Sequence, residues 1–114
     1  MMADEVVLVL STFGSVEEAR QVGRTVVEER LAACANLVPG VESIYRWEGE
    51  VQTSAEVLVI FKTTGAGYAN LEARVRALHS YEVPEIVSFP ISAGFPPYLQ
   101  WVAESCSPSS GAAA

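Results

Sequence analysis

Residues 41–63 read VESIYRWEGEVQTSAEVLVIFKT, and this stretch decides the fold. Two runs rich in β-branched and aromatic residues, 41–47 and 50–63, flank the pair Glu48-Gly49. Glycine at that point supplies the positive φ that a tight hairpin turn requires. The spacing therefore predicts an unusually long antiparallel hairpin, with its densest apolar stretch at Val57, Leu58, Val59, Ile60 and Phe61. Upstream, residues 33–40 extend the first strand, and Pro39-Gly40 interrupts it, a pair suited to a bend or a bulge.

Further from the hairpin, the β-branched run at residues 6–10 predicts a first strand covered on both faces. Phe13-Gly14-Ser15 ends it. Ser15 and Glu18 stand at capping-box spacing, so a helix starts there. Val16, Ala19, Val22, Gly23, Val26 and Val27 recur at helical intervals, and the amphipathic pattern carries the helix to about Ala32. After Gly65-Ala66-Gly67, the steps between Tyr68, Leu71, Val75 and Leu78 predict a second helix, with Glu72 and Arg76 paired on its wet side. Pro84 stops it, and residues 86–91 follow as a fourth strand. Pro96-Pro97 suits the first turn of a last short helix. Residues 107–114 carry no pattern and read as a flexible tail to a single domain spanning 1–106.

This order is an α+β, ferredoxin-like βαββαβ sandwich with a long β-hairpin and an extra C-terminal helix. Both crossover helices lie on one face of the antiparallel sheet. Strands one and three are apolar on both sides, so the second face must meet something other than water, and a neighbouring subunit is the simplest cover.

Composition agrees. The 114 residues are 50% hydrophobic and 18% charged, below the roughly 25% charged of soluble domains. That surplus of apolar side chains points to a subunit interface. Fourteen acids against seven bases leave a net charge of -7, which excludes a phosphate-backbone binder and hence nucleic acid as partner. No apolar run approaches the ~20 residues that span a bilayer, so no membrane partner is expected. The sequence opens Met-Met-Ala-Asp-Glu, with no secretion-signal pattern, and the expected compartment is cytoplasmic. Cys34 and Cys106 read as free thiols there, and no Cys or His pair has the spacing of a structural zinc site.

Chemistry-bearing residues are few. His79, the sole histidine, falls near the end of the second helix beside Tyr81, Glu82 and Glu85. It reads either as a cation set against the helix dipole or as a ligand for a divalent or cuprous ion. Cys34 sits among small apolar residues as a packed hydrophobe. Ser11 and Thr12 precede a helix start, a place for anion binding or capping. Lys62, the sole lysine, is a solvated charge or a small-anion holder. One histidine leaves little room for a nucleophilic triad, so no catalytic residue is assigned and no enzyme is expected. Tyr45, Trp47, Tyr81, Tyr98 and Trp101 are aromatics of the kind that anchor interfaces.

Residues 31–40 (LAACANLVPG), 43–49 (SIYRWEG), 61–64 (FKTT), 79–86 (HSYEVPEI) and 98–101 (YLQW) together resemble CutA, the divalent-cation tolerance proteins. The resemblance runs from Val6 to about Glu104. It implies a ferredoxin-like subunit in a compact homotrimer, the long hairpin pairing with a neighbour's sheet. It implies a role in tolerance of divalent metal ions, copper among them, with weak binding of a cation such as Cu or Zn and His79 as metal ligand. Ser11 stands where some relatives have Cys, and Leu78 where they have the first of two His. An inter-subunit cleft would gather Trp47, Glu56, Lys62, Tyr81 and Glu85, and would admit a small molecule. The alternative is a signalling trimer resembling the PII proteins, which grip nucleotide phosphates with a long loop and basic residues. The short Glu48-Gly49 turn and single lysine count against it, and a small acylphosphatase-like hydrolase lacks its arginine and glycine loop.

Overall fold

The computed structural model describes residues 5–106. It contains β1 (Val6–Phe13), α1 (Val16–Glu28), β2 (Cys34–Trp47), β3 (Glu50–Thr64), α2 (Tyr68–Leu78), β4 (Val87–Pro90) and α3 (Pro96–Ser105). The sheet order is β2-β3-β1-β4, and every neighbouring pair is antiparallel. This is the α+β arrangement that the sequence predicts. The expected tail at 107–114 lies outside the described residues.

Alternation along the central strands builds the core. Val7, Val9 and Phe13 of β1 and Val57, Val59 and Phe61 of β3 point to one face and are buried. Against them pack Ala19, Val22 and Val26 from α1 and Leu71 and Val75 from α2. A second, smaller cluster of Val6, Ala33, Val102 and Cys106 seats α3 across one end of the opposite face.

Among the described residues nothing covers the rest of that opposite face. The register places Leu10 against Ile60 and Val87, and Leu8 against Lys62 and Phe89. Leu58 lies between Thr12 and Val38. Val38, Val87 and Phe89 are each more than 40% exposed, an apolar sheet surface without cover.

The hairpin is as long as predicted. Residues 50–56 of β3 pair only with β2, because β1 meets β3 only over 57–64. Both turn residues, Glu48 (φ 52°) and Gly49 (φ 82°), have positive φ, as a type I′ turn requires. At Pro39-Gly40 the register shifts between Val38 and Val41, so two residues of β2 face one of β3. Because strand side chains alternate with period 2, that extra residue turns Val41, Ser43, Tyr45 and Trp47 toward the face that carries Glu56.

β1 runs to Phe13, at the expected break, and pairs there with Val57. Two local expectations change. α1 stops at Glu28 rather than near Ala32. Arg30 adopts φ 64°, Leu31 N–H donates to Val26 O at 2.9 Å and Arg30 N–H to Val27 O at 3.1 Å, which is a Schellman cap. The capping box forms by half: Ser15 Oγ accepts from Glu18 N–H at 3.1 Å, while the Glu18 carboxylate turns to Ser80.

Candidate functional site

The polar side chains that converge lie where the hairpin leaves the sheet. The bulge brings Ser43 opposite Ser54 and beside Glu56, and the Ser43 hydroxyl donates to Glu56 Oε1 at 2.5 Å. Glu56 Oε2 accepts from the Tyr81 hydroxyl at 2.6 Å. One carboxylate therefore ties β2, β3 and the segment after α2 together, through charge-assisted hydrogen bonds. Burial, followed by the hydrogen bond and negative charge of Glu56, pushes the Tyr81 phenol well above its ordinary range, with smaller contributions from Glu18 and Tyr45.

His79 is the C-cap of α2, as its helix-end position suggests, but its ring turns inward. It is 9% exposed and stacks on Phe13 with ring centroids 4.3 Å apart and planes 11° apart. Tyr81 N–H donates to Nδ1 at 3.1 Å, so Nδ1 is an acceptor. Nε2 then carries the hydrogen and donates to Thr12 O at 2.8 Å. Both nitrogens thus serve protein partners, and neither meets the carbonyl end of α2. The nearest acid is Glu18, with Oε2 3.9 Å from Nδ1. That carboxylate is held by Ser80, whose N–H donates to Oε2 at 2.7 Å and whose hydroxyl donates to Oε1 at 3.0 Å.

Within one chain the cleft residues do not all meet. Glu56 and Tyr81 do. Trp47, 47% exposed, pairs with Glu50 near the hairpin tip, and Lys62 lies at the opposite end of β3. Glu50 to Lys62 is twelve residues, about 40 Å of extended strand. Lys62 donates to Asn36 Oδ1 and reaches Cys34 Sγ at 3.8 Å. Glu85 is exposed in the segment between α2 and β4. Among the described residues no group of three or more His, Cys, Asp or Glu side chains is placed to hold a metal ion. No helix among them is long and apolar enough to cross a membrane.

Sequence reasoning did not find Ser43, Glu18 or Ser80 as members of this network. Glu18 was visible only as a helix-start residue, and Ser43 acquires its role through the bulge.

Residues 7–105 match the family described as CutA1 divalent ion tolerance protein. The chain is 52% identical over 102 residues to the divalent-cation tolerance protein CutA of Thermus thermophilus, covering 90% of this chain and 97% of that one. It is 41% identical over 99 residues to the chloroplastic CutA of Arabidopsis thaliana, covering 87% of this chain and 54% of that protein. The chain thus spans nearly all of the bacterial relative and about half of the plant one. The crystal structure of CutA from Xylella fastidiosa superposes with a TM-score of 0.89 at 36% identity, covering 90% of this chain and 99% of that one. The Thermus thermophilus structure gives 0.87 at 50% identity, with the same coverage.

Proposed function

Because the chain belongs to the CutA1 divalent ion tolerance protein family, we propose that it is a non-catalytic homotrimer of the cytoplasm that binds divalent cations weakly in the response to metal ions. The observation that carries the function is the family match across residues 7–105. The bare apolar face of the sheet supports the assembly. A surface of Leu8, Leu10, Leu58, Ile60, Val87 and Phe89 has the character of an interface core rather than of a wet surface.

Weak binding follows from the cost of recruiting His79. A cation there would take the Nδ1 lone pair from the Tyr81 N–H and share it with the Glu18 carboxylate 3.9 Å away. The ring is enclosed and stacked on Phe13, so it would have to turn outward before a cation could reach it, and one imidazole with one carboxylate holds a borderline ion such as Cu²⁺ or Zn²⁺ only at low affinity. The charge of -7 per chain adds diffuse attraction for cations. Calorimetric titration of the protein and of His79→Ala with Cu²⁺ and Zn²⁺ tests the reading. A saturable heat lost in the variant is the expected result; equal heats for both proteins remove His79 as a ligand.

One observation favours the second reading, a PII-like trimer that binds a small molecule. Lys62 stands on the bare face beside Leu8, where an assembly would enclose its ammonium against an incoming anion. Thermal shifts with nucleotides and organic acids, set against shifts with cations, separate the two.

A further inference from the structure

α1 crosses the edge strand β2 on the helix side of the sheet, opposite the bare face. Gly23 sets the approach: a Cβ there would come 3.3 Å from the Ala35 Cβ and 3.7 Å from Leu37 Cδ1. Beside this close contact runs an open groove of about 410 Å³, floored by Val27, Ala35 and Leu37 and rimmed by Arg20 and Arg24. That volume lies within the roughly 300–1,000 Å³ of small-molecule sites.

The charges at the rim are unusual for this chain. Arg20 and Arg24 are two of only seven basic residues against fourteen acidic ones, and they stand one helical turn apart. Like charges at that spacing repel by a few tenths of a kcal/mol. Neither guanidinium has a hydrogen bond or ion pair to another described residue. Arg74, by contrast, is clamped on Glu29 through two bonds of 2.9 and 2.8 Å. Glu28, the one acid on the groove, stands one further turn along α1 and forms no ion pair with Arg24. The groove therefore sets two guanidinium groups and then one carboxylate along α1 above an apolar floor.

From this polarity we infer that the groove binds an organic phosphate monoester, with its dianionic head between Arg20 and Arg24 and an apolar body along Val27 and Leu37. The two forks match the charge and the several acceptor oxygens of a phosphate dianion better than a single carboxylate would. Glu28, one turn beyond Arg24, orients the ligand by repelling its head. The site does not use His79, so it stands or falls apart from cation binding.

Phenyl phosphate titrated into the full ¹⁵N-labelled chain is the test. The expected result is saturable shifts confined to the amides of residues 20–28 and 34–37. Binding should weaken by about tenfold or more in Arg20→Ala/Arg24→Ala, and Arg76→Ala, on the other helix, should bind like the parent. Circular dichroism and melting of each variant establish that it is folded. Four results overturn the proposal: no saturable shift in the groove, equal loss in Arg76→Ala, inorganic phosphate binding as tightly as phenyl phosphate, or an oligoglutamate peptide outcompeting phenyl phosphate at the same residues. The third reduces the groove to general anion attraction, and the fourth assigns it to an acidic protein segment.

Discussion

Ser11 is fully buried on the helix side of β1, and its hydroxyl oxygen lacks a hydrogen-bond partner among the described residues. Leaving such a group unpaired costs about 1–3 kcal/mol, whereas an apolar side chain of similar shape avoids that cost. Ser11→Ala should therefore raise stability by about 1 kcal/mol, read from urea unfolding at fixed chain concentration; a loss of stability would show that the hydroxyl has a hidden partner. Tyr81 gives the complementary case. Burial and Glu56 hold its phenol protonated above the ordinary range, whereas the unfolded chain loses that proton near pH 10. Above that pH the unfolded state binds fewer protons than the folded one, so stability falls as pH rises. Tyr68, raised by burial and by Glu72, adds to the same fall. Denaturation midpoints followed from pH 9 upward should decline less steeply in Tyr81→Phe than in the parent. Parallel declines would mean that Tyr81 ionises alike in both states. The roles of Tyr81 and Ser80 could not be read locally, since Tyr81 meets Glu56 across 25 positions and Ser80 meets Glu18 across 62.

The elements were legible wherever punctuation residues marked them. Gly49 marked the turn because glycine enters the positive-φ region freely, Pro39-Gly40 marked a bend or a bulge, and Pro84 and Pro96 bounded the later elements because proline fixes φ and lacks an N–H. The end of α1 was not legible, since its cap places Arg30 rather than glycine in the left-handed region. The same reasoning exposes a weakness in the hairpin. Glu48 is held at φ 52° with a full side chain, where the left-handed region costs an ordinary L-residue about 1–2 kcal/mol. Asparagine visits that region readily and is favoured in such turns. Glu48→Asn should stabilise the hairpin by about 0.5–1 kcal/mol, and a higher melting temperature measures it. An unchanged or lower value would mean that Glu48 contributes a compensating interaction at the tip. At Pro39-Gly40 the sequence predicts a bend or a bulge without deciding between them. The consequence of the bulge, that Ser43 faces Glu56 instead of the helix layer, depends on register, and register is a property of two strands rather than one.

At the scale of the molecule, the apolar surplus counted in the sequence is located on the bare sheet face and along the hairpin, where Ile44, Trp47 and Val51 are exposed. Sedimentation equilibrium should give about three times the chain mass of 12.2 kDa. Ile60→Lys places a charge at the centre of the bare face without touching the helix-side core, and should shift that mass toward one chain. A single-chain mass for the parent protein would remove the trimer and with it any cleft that unites Trp47 with Lys62. The hairpin also gives the chain its shape, 47 × 30 × 22 Å. Residues 44–55 are bonded into a ribbon of only two strands, a structure of marginal stability in water. In an isolated chain their amides would open cheaply and take up deuterium quickly, while those of β1 and the inner half of β3 would wait for unfolding of the core. Contact with a neighbour would close that gap. The ribbon thus carries an isotopic clock within the chain, able to tell subunits that have found their neighbours from subunits that have not, without any attached label.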